Sequence, residues 1–176
     1  MLGISTTISG RSSLCIPLGK CCAPFKWVTL TSSLHIRFGL SYTTFSVGDL
    51  DTSSSAIETA DPEAISVELS TTITNTGSVP GSETVQFYVS YPYVGTSTPE
   101  YQLRGFRKEK DVKPGETRQV RTTLGKEAFA HWDAKTGRWK IAKGTYSIRA
   151  GRSSDLEELG KKVDVVVERD ISWRGI

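Results

Sequence analysis

An all-β sandwich is the fold class this sequence predicts, and three observations carry the prediction. Apolar residues alternate with polar ones in short runs: Ile65, Val67, Leu69, Thr71 and Ile73 in one, Val85, Phe87 and Val89 in the next. A period of two puts such residues on one face of an extended strand. Turn chemistry separates the runs, most densely at Asn75-Thr76-Gly77-Ser78-Val79-Pro80-Gly81. There Gly77 and Gly81 can take positive φ at little steric cost, Asn75 tolerates it, and Pro80 lacks the N–H a ladder would need. Finally, about seven such runs fit within 176 residues, the size of one ordinary domain.

Taken in order, residues 1–37 show no useful periodicity and are rich in Ser, Thr, Gly and Cys, which predicts a disordered tail foreign to the domain, as when a gene model or a truncated copy acquires a new start. They do not read as a signal peptide, because Met1-Leu2 lacks a basic region and Ser5 to Ser13 interrupt any apolar stretch. Leu40, Tyr42, Phe45 and Val47 make a first strand, and Asp49 to Pro62 a polar connection. The runs on either side of Asn75–Gly81 then pair as two antiparallel strands joined by a loop. Tyr91 to Tyr101 is a loop with two prolines and three tyrosines. Leu103 to Val112 is a strand with Gly105 as a bulge, and Lys113-Pro114-Gly115-Glu116 a type II turn. Val120, Thr122 and Leu124 continue the alternation, and Glu127 to Asp133 makes a short helical turn with Phe129 and Trp132 on one side. Trp139–Ile141 and Tyr146–Ala150 form a hairpin around Ala142-Lys143-Gly144, and Val163–Val167 is the last strand. The domain is thus residues 38–170, with 171–176 a C-terminal tail.

Charge and cysteine usage narrow the function classes. The formal charge of +3 divides into +4 over residues 1–37, from Arg11, Lys20, Lys26 and Arg37, and −1 over the rest, from 18 basic and 19 acidic residues. A neutral body without a basic stripe argues against nucleic acid as a partner. No run approaches the roughly 18 apolar residues of a membrane helix, so no membrane is expected. Cys15, Cys21 and Cys22 all lie in the tail. They read as unpaired thiols, the domain carries no disulfide, and neither a metal nor another cofactor is expected. The compartment stays open.

Five blocks then carry a family resemblance. Thr74-Asn75-Thr76-Gly77-Ser78 with Gly81-Ser82-Glu83-Thr84-Val85-Gln86-Phe87-Tyr88-Val89-Ser90 resembles the signature of the fibronectin type III-like domain that closes many β-glucosidases of glycoside hydrolase family 3. In the family's order, Phe38–Phe45 before this block resembles that domain's entry, and after it Gln102–Lys108 resembles an L-x-G-F-x-K block, Val112–Thr117 a K-P-G-E-T turn, and Gly144-Thr145-Tyr146 with Gly151–Ser154 the close. The resemblance implies an immunoglobulin/fibronectin type III-like β-sandwich. It also implies a catalytic (β/α)8 barrel and an α/β domain upstream as partners, with the nucleophile and acid/base outside this module.

The residues agree that catalysis lies elsewhere. A glycosidase needs two carboxylates flanking a bond, about 5 to 9 Å apart. Glu127, Asp133, Asp155, Glu157 and Glu158 qualify only as carboxylates, and His131 beside Asp133 is a pair without a nucleophile. No catalytic residue is assigned. Tyr91, Tyr93, Tyr101 and Trp132 are the candidate contact residues, since an aromatic face offers apolar area and a polar edge to a sugar ring or a partner surface. Two roles stay open: a module packed on the catalytic domains of a β-glucosidase, or a free-standing carbohydrate-binding or adhesion module with a glucan partner. A gene fragment with an uncovered apolar face is a third.

Overall fold

The computed structural model describes residues 41–92, 100–155 and 158–175. The expected tail over 1–37, its cysteines, and the strand position Leu40 lie outside them. Twelve strands are described: β1 (Phe45–Val47), β2 (Asp51–Thr52), β3 (Ala56–Ile57), β4 (Ser66–Asn75), β5 (Gly81–Ser90), β6 (Gln102–Val112), β7 (Thr117–Gly125), β8 (His131–Asp133), β9 (Arg138–Ile141), β10 (Gly144–Gly151), β11 (Val163–Val167) and β12 (Ile171–Trp173). A 3-10 turn, Pro62–Ala64, precedes β4, and a four-residue helix α1, Lys126–Phe129, follows β7.

Two main sheets form the sandwich. In the first, β4 pairs with β7 along one edge, from Ser66↔Gly125 to Thr74↔Thr117, and with β1 and β2 along the other. The second runs β3-β11-β10-β5-β6. It is antiparallel except for the parallel β3–β11 pair. A third, smaller sheet has the order β12-β9-β8.

Alternation places the core. On β4, Val67, Leu69, Thr71, Ile73 and Asn75 are buried while the residues between them are half-buried or exposed. Opposite them, Val85, Phe87, Val89, Tyr146, Ile148, Val165 and Val167 are fully buried. Burying side chains of this size supplies roughly 1.5–3 kcal/mol each and is what holds the sheets face to face. β5 is buried on both faces, unlike β4. Its second face is covered because Gln86 Nε2 donates to the Arg152 carbonyl at 2.7 Å and Tyr88 donates to Gln86 Oε1 at 2.6 Å. Gly160 N–H returns the following loop to the Ala150 carbonyl at 2.9 Å.

Several sequence expectations are corrected. β4 and β5 are not a hairpin: they belong to different sheets, and Asn75–Gly81 crosses between them. The same holds for β9 and β10. Alternation fixes which face a strand buries, and leaves its hydrogen-bonding partner to the tertiary fold. Tyr42 is fully exposed and outside any strand. The connection over 49–62 carries β2 and β3, each tacked to a different sheet, with Leu50 and Ile57 buried. Phe129 enters the core, whereas Trp132 stands half-exposed on β8, so they do not share a side. Val163–Val167 is not the last strand, since β12 follows within the expected tail and buries Ile171.

The turns show what the glycines do. Gly77 and Gly81 keep negative φ, and so does Asn75. A Cβ on Gly77 would sit 2.8 Å from the Thr44 backbone N, so close approach rather than handedness requires this glycine. Gly115 does take φ 75°, with Glu116 N–H donating to the Lys113 carbonyl at 2.9 Å, as a type II turn demands. The β5–β6 register slips between Phe87↔Gly105 and Tyr88↔Leu103, beside the glycine expected to mark a bulge. It slips again near Asp111, the non-glycine residue with positive φ among the described residues.

Asn75 joins these pieces. Its Nδ2 donates to the Val79 and Val112 carbonyls, each at 2.8 Å. Its Oδ1 accepts from the Thr43 hydroxyl at 2.7 Å and from Gly77 N–H at 3.0 Å. An asparagine amide has two donors and two acceptor positions, and all four are filled. Its backbone also pairs with Gly115 N–H and the Glu116 carbonyl.

Replacing Asn75 with Ala leaves four groups unpaired, two of them carbonyls facing a void, and is expected to cost about 3 kcal/mol or more in urea unfolding. Thr74→Ala removes an exposed hydroxyl pair with Thr117 and should cost less than about 0.5 kcal/mol. Equal effects would dismiss the hub. A second prediction concerns Glu116, whose carboxyl is held below its ordinary value of 4.5, chiefly by the Arg118 guanidinium and then by Lys113 N–H. A carboxylate depressed in the fold stabilises above its ordinary value and loses that contribution as pH falls through the lower folded value. The Tm difference between wild type and Glu116→Gln should therefore be present at pH 7 and shrink below about pH 4.

Candidate functional site

The candidate aromatic residues occupy separate environments. Tyr91, just past the end of β5, is buried, with 8% of its surface exposed. Its hydroxyl donates to the Ala128 carbonyl at 3.0 Å, and its ring meets Tyr146 edge-on at 5.6 Å. Burial pushes its phenol up, with the Arg104 guanidinium, 5.4 Å from the ring centre, acting the other way. Phe129 meets Tyr146 edge-on from another side at 5.5 Å, and the Tyr146 hydroxyl donates to the Ala142 carbonyl at 3.0 Å. Burial raises the Tyr146 phenol as well.

Tyr101 precedes β6 and lies beneath the Arg149 guanidinium, 5.3 Å from its ring centre. Tyr93 lies outside the described residues. Trp132 is 51% exposed and packs edge-on against Trp139 at 5.6 Å. Tyr91, Tyr101 and Trp132 therefore do not make one continuous platform.

The structure adds a row that the sequence reading missed. Trp132 lies opposite Trp139, which lies opposite Trp173, so the three tryptophans cross the small sheet on one face. Trp139 and Trp173 lean on the core. Lys126 stands over the Trp173 ring, 5.5 Å from its centre, and is ion-paired with Glu63 of the 3-10 turn. The sequence signal was Trp132 and Trp139 flanking the turn at Thr136-Gly137, where Gly137 has φ 62°.

Of the carboxylates weighed for catalysis, Glu127 lies on α1, Asp133 on β8, and Asp155 and Glu158 together in the loop after β10. Asp133 accepts from Lys135 N–H at 3.0 Å and from the Thr136 hydroxyl at 2.9 Å, and the hydroxyl bond is the first cause holding its carboxyl below the ordinary range. It shapes the β8–β9 turn. Glu158 accepts from Ser153 at 2.7 Å and lies 3.5 Å from Arg152. Glu157 falls outside the described residues. A cleft of about 340 Å³ lies between β8–β9 and the end of β5, lined by Tyr91, Pro92, His131, Asp133, Lys140 and Tyr146 among others. A second hollow of about 390 Å³ lies over the β2–β4–β7 face. Among the described residues, no group of three or more His, Cys, Asp or Glu is placed to hold a metal.

With the geometry in hand, likeness to known proteins can be placed on it. The family model for the fibronectin type III-like domain matches residues 83–154, from β5 through β10. The chain is 40% identical over 155 residues to a probable β-glucosidase I of Aspergillus fumigatus, a match covering 86% of this chain and 18% of that protein. Its fold matches β-glucosidase 3B of Thermotoga neapolitana with a TM-score of 0.67 at 27% identity, covering 81% of this chain and 18% of that one. It likewise matches the GH3 β-glucosidase of Bifidobacterium adolescentis with a TM-score of 0.62 at 30% identity, covering 74% and 18%. The chain thus spans less than a fifth of the relatives it matches. Residues 83–154 thus carry a fibronectin type III-like domain, and by sequence and by fold the chain is similar to the part of less than a fifth that it matches in family 3 β-glucosidases.

Proposed function

We propose that this chain acts as the non-catalytic fibronectin type III-like module of a family 3 β-glucosidase, packing on the barrel and α/β domains and stabilising them. The observation that carries the reading is the asymmetry of the match: 86% of this chain aligns with only 18% of a β-glucosidase. What the two share is a sandwich, and in it Asp133 and Glu158, two of the carboxylates weighed for catalysis, are engaged in a turn and a loop contact. The buried positions of Tyr91 and Tyr146 favour a packing role for these rings over capture of a sugar.

The test is a chimera in which the matched 155-residue segment of the A. fumigatus enzyme is replaced by the aligned residues of this chain. It should fold and cleave an aryl β-glucoside, while the same enzyme without any such segment loses stability or activity. A chimera no better than the deletion would overturn the reading. The 176-residue chain by itself should leave the aryl β-glucoside intact. Cleavage that Asp133→Asn or Glu127→Gln abolishes would instead make it an enzyme.

A further inference from the structure

The apolar surface left uncovered on the second sheet is concentrated on its edge strand. Phe106 is 69% exposed and Leu103 41% exposed, both on β6. Phe106 lies opposite Gln86, and Leu103 opposite Tyr88. Gln86 and Tyr88 alternate with the core residues Val85, Phe87 and Val89, so Phe106 and Leu103 belong to the outward face of the sheet. The Arg152 carbonyl accepts from Gln86, while Phe106 and Leu103 remain exposed. Strand β6 is also 11 residues long, and among the described residues β5 is its ladder partner within the sheet. A long edge strand carrying two large exposed apolar side chains is a surface that a partner ordinarily covers.

Charge bears on what covers it. β6 carries Arg104, Arg107, Lys108 and Lys110 against Glu109 and Asp111, four cations to two anions. Lys108 lies opposite Thr84 and so shares the outward face with Phe106. On β10, Arg149 lies opposite Tyr88, next to Leu103 in the sheet, and its Nε is buried without a hydrogen-bond partner among the described residues. An occupant that presents apolar side chains bordered by carboxylates or carbonyl oxygens matches this face.

We propose that the outward face of β6, centred on Phe106 and Leu103 and flanked by Lys108 and Arg149, is where the module docks on the body of its β-glucosidase. This rests on the reading above. Some four-fifths of each relative lies outside the match, and a module fused to so large a body needs a face to bury against it. The partner surface is apolar at its centre and acidic at its rim.

The chimera tests this with Phe106→Ser and Leu103→Ser combined, and with Val166→Ser as the control. Val166, 43% exposed on β11, is the comparable apolar side chain away from the edge strand. The double substitution should shorten the half-life of activity at a challenging temperature by about tenfold or more, and the control should change it less than about twofold. The free 176-residue chain bearing the double substitution should keep its own Tm, which separates lost docking from lost folding. A chimera active with the wild-type module but indifferent to the double substitution would overturn this surface and leave the function standing. A wild-type chimera no better than the deletion would overturn both. Two other results would also overturn the assignment: a dimer of the free chain, or adsorption of the free chain to insoluble glucan, abolished by the double substitution.

Discussion

The amide of Asn75 is the constraint on which the sandwich depends. It sits at the end of β4 where the chain leaves the first sheet, and it faces the segment before β1, the crossing that leads to β5 and the last residue of β6. Each of those pieces ends a different element, and there the Phe45↔Asn75 pair of the first sheet meets the Gly81↔Val112 pair of the second. One buried side chain with two donors and two acceptors holds them at fixed distances. Sheet spacing and the path of the crossing follow. The turn 113–116 is tied in through the Asn75 backbone, so the β6–β7 connection shares the same anchor.

Around that anchor, stability is divided between apolar and polar devices in an ordinary way. The inner faces of β4, β5, β10 and β11 supply the apolar core. Tyr91, Phe129 and Tyr146 close its far end with edge-on contacts, and both tyrosine hydroxyls reach backbone carbonyls. A buried phenol without a partner would weigh against the fold, so these two bonds let large rings fill the end at little cost. The small third sheet carries the tryptophan row over the same end and is tethered through Lys126 to the 3-10 turn.

This arrangement suits a module that supports rather than reacts. Tyr91 packs against Tyr146 and Trp132 against Trp139, Asp133 shapes a turn, and Tyr42 and Phe106 stand exposed. The β6 edge is a surface where exposed apolar side chains and cations stand together. In a chain that matches less than a fifth of its relatives, the proposed docking on a β-glucosidase body would cover this face.

The sequence by itself determined the fold class, the buried faces of β4, β5 and β7, and the turn at Lys113–Glu116. Val67 to Ile73, Val85 to Val89 and Lys113 to Glu116 behave as their patterns require, because side-chain alternation and glycine handedness are local properties. The ordered blocks from Asn75 to Ser154 likewise made the family legible. Strand partnership was decided only by the tertiary structure. Whether β4 pairs with β5 or with β7 depends on long-range packing and on the four bonds of Asn75, whose partners are as many as 37 residues away. The same is true of the tryptophan row, which needs β12 to return beside β9, and of the Phe106 edge. An exposed phenylalanine cannot be distinguished from a buried one by type, and only the register of β6 against β5 turns it outward.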